Sequence, residues 1–451
     1  MGSYIPNTKS ERMEMLEEIG LDGFDALFSD VPEAVKLKTP LKLPKGLGEM
    51  EVIGKMREIA SQNIVFNSVF RGAGAYNHYI PSIVKSIISK EEFVTAYTPY
   101  QAEISQGILQ SIFEFQTMIC ELTGMDVANA SHYDGATAAA ESLVMCLERS
   151  KTNAYVSESV NPEVLRVMET YCFGNNTKLV RIPEKDGITD IEELKKRIAE
   201  DPHAACFYVQ QPNFFGIFED AEALSEVVHE TGAKFIMGID PIAASILKTP
   251  SECGADVAVG DGQPLGMPMG YGGPYVGFMA TSSKMMRRLP GRIVGETEDA
   301  DGHRAYVLTL QAREQHIRRE KASSNICSNQ DLCALTASAY MAAMGSKGMT
   351  QVAKQSMSKA HYLRDELEKA GFSPIFDKPF FNEFVTDCPI DVDILCRKLA
   401  RCGILCGLPL SGNRILWCTT EMNSKDSIHE LAGECARIAG SKESQQEREV
   451  L

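Results

Sequence analysis

Apolar residues recur along this chain with two alternating rhythms. Ile108, Leu109, Ile112, Phe113, Phe115, Met118, Ile119 and Leu122 share one face at helical spacing and predict a helix over 106–123. The small residues of Ala136–Arg149 predict another. Short apolar runs follow at Ala154–Val156, Leu179–Ile182, Ala204–Val209, Phe235–Ile239, Val257–Val259 and Val276–Met279. They are too short for helices and suit buried strands. Helical segments at Asp190–Ala199 and Ala221–Thr231 separate several of them. This alternation predicts an α/β fold, a mainly parallel sheet with helices on both faces.

Near Asn329 the rhythm changes. Leu332–Ala370 is one long helical stretch with a Gly-Ser-Lys-Gly break at Gly345–Gly348. Ser373–Ile375, Phe381–Val385 and Ile415–Thr419 read as strands, and Asp391–Cys402 and Lys425–Ala439 as helices. At the other end, Ser10–Ile19 and Glu49–Asn63 are helix candidates separated by Pro- and Lys-rich punctuation. The expected organisation is therefore an N-terminal arm (1–60) that packs on the body or on a partner, a large α/β domain (61–330) and a small C-terminal α/β domain (331–440). The polar tail, 441–451, is expected to be disordered.

Composition narrows the function classes. With 451 residues, 44% of them hydrophobic, the chain can build one large or two medium cores. A net charge of −16 without a basic stripe argues against nucleic acid. No run of eighteen apolar residues predicts a membrane span. The first residues lack a signal-peptide pattern, and Pro6 breaks the myristoylation pattern, so a cytoplasmic protein is expected. Thirteen cysteines sit mostly in apolar runs, which suits free buried thiols. No C-x-x-C occurs, Cys402 and Cys406 have no histidine nearby, and His316 is not in an H-E-x-x-H pattern; no metal site is expected.

One stretch carries more chemistry than the rest. Lys234–Asp240 reads as a buried strand ending in a carboxylate. After it comes Gly260–Phe278, GDGQPLGMPMGYGGPYVGF, bracketed by strand-like Asp256–Val259 and Tyr275–Ala280. In pyridoxal-phosphate (PLP) enzymes of the aminotransferase-like class, such an Asp pairs with the pyridinium nitrogen, and a Schiff-base lysine follows the next strand. Here Gln263 stands about where that lysine belongs. An amide nitrogen cannot form an imine, because its lone pair is delocalised. Lys248 comes too soon after Asp240 and Lys284 too late, and both read as surface lysines. The turn Asp134–Ala139, with Gly135 and Thr137, either cups a phosphate at a helix start or packs tightly through small side chains. Asp240 is either a relic of the pyridine partner or a turn residue before Pro241.

Two further segments are dense in polar groups. Thr95–Gly107 holds Tyr97, Tyr100 and Glu103; Arg313–Lys321 holds Arg313, Glu314, His316, Arg318 and Arg319. Each is either a solvated face or the edge of a pocket. In Phe70–Tyr79 the pair Gly72-x-Gly74 lacks the later glycine of a dinucleotide fingerprint, so NAD is unsupported.

Several long strings resemble one family: FRGAGAYNHYIPSIV (70–84), TAYTPYQAEISQG (95–107), FEFQTMICELTGMDVANASHYDGATAAAE (113–141), QQPNFFGIFED (210–220) and REQHIRREKASSNICSNQ (313–330). With YIPNT near the start, they span nearly the whole chain. The chain resembles the alpha, or N-terminal, subunit of the two-subunit P-proteins of the glycine cleavage system. In that family the catalytic lysine belongs to the beta subunit, in an HK pair that falls on Gly262 and Gln263 here. The resemblance implies a type I, PLP-dependent aminotransferase-like fold, and a subunit of glycine dehydrogenase (aminomethyl-transferring) that is inactive alone. It implies PLP held by the beta subunit, an α2β2 assembly, and a lipoylated H-protein that accepts the aminomethyl group. Tyr97, Tyr100, Glu103, His316 and Arg319 would line the active-site wall. Asp240, Gln263, Gly135 and Thr137 would be vestigial cofactor positions. Two other readings stay open: a non-catalytic binding or regulatory protein on the same fold, and an autonomous PLP decarboxylase with an unusual lysine.

Overall fold

The computed structural model describes residues 6–327 and 330–440, so the tail assigned to 441–451 lies outside the described residues. The chain divides into two compact units, Met1–Val65 and Phe66–Leu451. The first holds a helix over Lys9–Glu18, started by a reciprocal capping box between Thr8 and Glu11, and a second over Glu49–Ala60. No residue of the Glu49–Ala60 helix is buried, although Met50, Val52, Ile53, Met56 and Ile59 are apolar.

Among the described residues the central sheet of the second unit has seven strands. They are β1 (Val127–Ala128), β2 (Asn153–Ser157), β3 (Lys178–Ile182), β4 (Ala204–Gln211), β5 (Lys234–Ile239), β6 (Val257–Asp261) and β7 (Gly277–Thr281). Their order is β1-β7-β6-β5-β4-β2-β3; β7 runs antiparallel to both its neighbours, and β6-β5-β4-β2-β3 are parallel. Gln210 pairs with Gly238, Ile239 with Gly260 and Asp261 with Gly277, which sets the strand ends side by side.

Both faces of this sheet are covered, which is why its inner strands read as continuous apolar runs rather than alternating ones. Phe207, Val209, Phe235 and Met237 point into one core. Cys206, Tyr208, Ile236 and Val259 point into the other. The first core receives α1 (Gln106–Thr123), while α2 (Gly135–Cys146) and α3 (Pro162–Gly174) cover the second. Helices α4 (Ile191–Ala199) and α5 (Ala221–Glu230) pack on the first, each capped by the side chain of the preceding aspartate, Asp190 or Asp220. A hairpin of β8 (Ile293–Glu298) and β9 (Arg304–Thr309), which the sequence pattern did not announce, lies against α1.

The long helix α6 runs from Asp331 to Lys369 and bends at Gly345, whose φ of 60° breaks the helical backbone inside the expected Gly-Ser-Lys-Gly break. Its first part, including Ala337 and Tyr340, fills the large core; Ala360, Leu363 and Leu367 belong to a separate core around Trp417. That second core holds α7 (Val392–Arg401), α8 (Lys425–Ala439) and an antiparallel sheet of β10 (Glu383–Asp387), β12 (Arg414–Cys418) and β11 (Leu408–Leu410), in that order. The strand expected at Ser373–Ile375 does not form; Pro374 makes only a single bridge, to Thr386. Cys396 and Cys406 form a disulfide with Cα atoms 5.7 Å apart, against the expectation of free thiols throughout, because the chain folds back after α7. Cys146, Cys172, Cys206 and Cys435 are among the buried cysteines that form no disulfide. No helix among the described residues is long and apolar enough to cross a membrane.

Candidate functional site

A cavity of about 1110 Å³ opens at the C-terminal ends of β4, β5 and β6, beside the start of α2. Open α/β sheets bind ligands at this edge. The 72–78 loop, Asp134–Ala136, Asp240, Asp261 and the glycine-rich 268–272 turn border it. The structure thus brings Asp240 and Gly135 to one cavity, with Gln263 and Thr137 buried beside it.

Each of these positions is already engaged. Asp240 Oδ1 accepts the N–H groups of Ile242 (2.9 Å) and Ala243 (2.7 Å), and burial pushes its carboxyl above the usual range. At the start of α2, the Gly135 N–H donates to Asp261 Oδ2 at 2.8 Å. A side chain at 135 would approach the Asp261 backbone nitrogen to 2.7 Å, so the contact demands glycine. The Thr137 N–H and hydroxyl both donate to Asp134 Oδ1 at 2.7 Å. Burial pushes Asp261 up to about 6, against the pull of the Gly135 and Gln263 N–H groups.

Gln263 is 1% exposed and uses its whole amide. Its Oε1 accepts the Tyr76 N–H at 2.8 Å, and its Nε2 donates to the carbonyls of Tyr76 and Met267, both at 2.9 Å. Its own N–H donates to Asp261 Oδ1 at 2.8 Å. The residue splints the 72–78 loop to the 262–267 turn. From the small sheet, Glu383 holds the same loop: Oε1 accepts the Ala73 N–H (2.6 Å) and Oε2 the Tyr76 hydroxyl (2.8 Å). Burial pushes Glu383 up to about 7.

These residues do not fit PLP. No amine borders the cavity among the described residues; Lys248 is exposed and pairs with Glu222 at 2.6 Å, and Lys284 is exposed. The helix-start donors that would bind phosphate face Asp134 and Asp261 instead, and two carboxylates repel an anion.

A second polar cluster lies apart from the cavity lining. The Arg292 guanidinium, 1% exposed, sits 4.7 Å from the centre of the Tyr100 ring. Glu314 Oε2 lies 3.9 Å from Arg292 Nε and 3.5 Å from His316 Nδ1. The His316 and Tyr100 rings meet edge-on at 6.2 Å. Cys327 Sγ is 3.8 Å from the Tyr100 hydroxyl and 3.9 Å from Arg292 Nη2. Arg292 Nε and Nη1, Arg313 Nε and Nη2, Glu314 Oε1 and Asp331 Oδ1 are buried without a hydrogen-bond partner among the described residues. Groups in that state are rare in a finished structure.

Of the five expected wall residues, the structure joins Tyr100 and His316. Tyr97, Glu103 and Arg319 are exposed and outside this contact set. The Arg313–Lys321 run does not form one regular helix. It breaks into short turns around Gln315–Arg318, with Arg319 at φ 54°, as Glu314 turns inward to Arg292. Arg292 escaped sequence reading because a lone arginine before a strand carries no spacing signal. Asp261 was in view within GDGQP, but its bond to a residue 126 positions away was not.

Strand order, the reversed β7 and a cavity at the strand ends beside Asp240 define the class: the fold is that of the PLP-dependent enzymes of fold type I. At the level of fold alone, it matches an alanine–glyoxylate aminotransferase from Nostoc sp. (TM-score 0.59, 15% identity, covering 83% of this chain and 96% of that one). Within that class, the chain belongs to the glycine cleavage system P-protein family, whose model matches residues 2–432. It is similar to the probable glycine dehydrogenase (decarboxylating) subunit 1 of Moorella thermoacetica, 49% identical over 437 residues (95% of this chain, 98% of the relative). It is also similar to that of Shouchella clausii, 47% identical over 444 residues (96% and 99%). A crystal structure of glycine decarboxylase (P-protein) in inhibitor-bound form superposes with a TM-score of 0.91 at 41% identity, covering 97% of this chain and 100% of that one.

Proposed function

We propose that this chain is the subunit of glycine decarboxylase that carries no PLP of its own. It acts with a second subunit that holds the cofactor on a lysine, in an α2β2 assembly, and the aminomethyl product passes to a lipoylated H-protein. The observation that carries the reading is Gln263: in a chain matching the family along nearly its whole length, the lysine position is filled by an amide fully bonded to backbone. The chain's own contribution is the polar wall. Tyr100 and His316 stand on the Arg292–Glu314 pair and face the partner's active site, and the exposed Tyr97, Glu103 and Arg319 extend that wall. The unpartnered groups of that cluster find their partners across the subunit interface. The chain is organised as an N-terminal arm (1–60), a large α/β body (61–330) and a small C-terminal α/β body (331–440). Buried cysteines outside any disulfide, such as Cys146, Cys172, Cys206 and Cys435, suit a cytoplasmic location.

The test is glycine-dependent exchange of labelled bicarbonate in the presence of lipoylated H-protein. Neither subunit alone should exchange, and the two together should. Borohydride reduction should leave the pyridoxyl label on the partner. Exchange by this chain alone, or a label on it, refutes the reading; silence of the mixed subunits favours a regulatory protein on the same fold.

A further inference from the structure

The cavity at the strand ends has a polar wall whose hydrogen-bonding capacity is unused. Tyr208, on β4, is 3% exposed, yet its hydroxyl borders the cavity and has no partner among the described residues. The hydroxyl lies over Gly238, where an added Cβ would stand 2.0 Å from it. Gln210, two residues along and so on the same face, uses Oε1 to accept the Asn161 N–H (3.0 Å) and leaves Nε2 free. Asp240 leaves Oδ2 free, since both its turn bonds end on Oδ1.

The charge of this wall is one-sided. Asp134, Glu163, Asp240 and Asp261 border the cavity, and no Lys or Arg does among the described residues. The imidazole there, His78, is paired with Glu421 at 2.7 Å. A buried carboxylate without a counter-charge is costly, and burial holds the Asp240 carboxyl above its usual range. An entering cation supplies the missing counter-charge and gains a charge-assisted hydrogen bond. A phosphate is disfavoured: the Gly135 and Thr137 N–H groups are already given to Asp261 and Asp134, and both acceptors are carboxylates.

We propose that this cavity is a binding site for a small protonated amine that carries no phosphate, anchored by Asp240 Oδ2 and flanked by the Tyr208 hydroxyl and Gln210 Nε2, with Asp261 excluding phosphate from the start of α2. At about 1110 Å³ it has room for a ring-bearing amine.

Pyridoxamine and pyridoxamine 5′-phosphate differ only by the phosphate, so they serve as probes in calorimetric titration of the full chain. Pyridoxamine should bind saturably, one per chain, and its phosphate ester at least about tenfold more weakly. Asp240→Asn should weaken pyridoxamine by about tenfold or more, and Tyr208→Phe, which removes only the hydroxyl, severalfold. Thermal unfolding of both variants checks that they fold. Asp261→Ser should shift the preference toward the ester. No saturable binding of pyridoxamine, an ester that binds the unmodified chain equally well, or unchanged affinity in both wall variants overturns the proposal. The measurement needs no second subunit and no turnover, so its failure leaves the decarboxylase reading standing.

Discussion

Replacing Gln263 by lysine would put back the residue that type I PLP enzymes use, and the structure predicts that it would cost stability without creating a cofactor site. A lysine Nζ can at best keep the two bonds to the carbonyls of Tyr76 and Met267. It has no acceptor for the Tyr76 N–H, now bonded at 2.8 Å, and it places an ammonium where Gln263 is 1% exposed. One unsatisfied N–H and a desolvated charge together cost about 2–4 kcal/mol. For a folded unit of about 390 residues, a specific unfolding entropy of roughly 2.1 cal/mol/K per residue gives about 0.8 kcal/mol/K. The midpoint of thermal unfolding should therefore fall by about 3–5 °C. Titration of Gln263→Lys with PLP should produce no saturable imine band, because Asp134 and Asp261 still face the phosphate position. An unchanged midpoint would refute the role of the amide as a splint. A saturable imine band, trapped by borohydride, would refute the closed phosphate position.

Other outcomes follow from the same geometry. Glu383 keeps its proton up to about 7 in the fold but releases it near 4.5 when unfolded, so its stabilisation is full below about pH 4.5 and is lost as pH rises toward 7. Its contribution is roughly 3 kcal/mol at most, and Glu383→Gln should flatten the fall in unfolding midpoint between about pH 5 and 7. Arg292→Ala leaves Glu314 buried without its counter-charge; it should cost about 3–5 kcal/mol and lower exchange by the assembled subunits at least about tenfold. Arg292→Lys should recover more of the stability than of the rate, since the planar stack on Tyr100 is lost. Thr386→Val removes the acceptor 2.9 Å from the Trp417 Nε1–H, and should destabilise the small sheet by about 1–3 kcal/mol. Emission from that single tryptophan reports the change.

The parts of the fold legible in the sequence were those whose signal is local. Helix α1 was readable to the residue because its apolar face is continuous and Gly124, at φ 69°, ends it. The inner strands of the parallel sheet, β2, β4, β5 and β6, were readable because burial on both faces makes each an apolar run. The β8–β9 hairpin was not, since its strands carry charge and mixed spacing, and β1 is only two residues long. At the site, the missing amine at Gln263 was legible as chemistry. What its amide does was not, because the partner Tyr76 lies 187 residues away. The same separation in sequence hid the Asp261–Gly135 contact and the placement of Arg292 under Tyr100.

Helix α6 has a mechanical consequence. It leaves the small body at Leu367 and reaches the large core at Tyr340, whose Cβ stands 2.9 Å from where a Cβ on Gly266 would be, in the turn that Gln263 begins. Glu383 ties the small sheet to the far side of the same opening through Ala73 and Tyr76. A tilt of the C-terminal body thus reaches the cavity mouth along two linkages, a helix hinged at Gly345 and the Glu383 tether, so substitutions remote from the opening can still widen or narrow it.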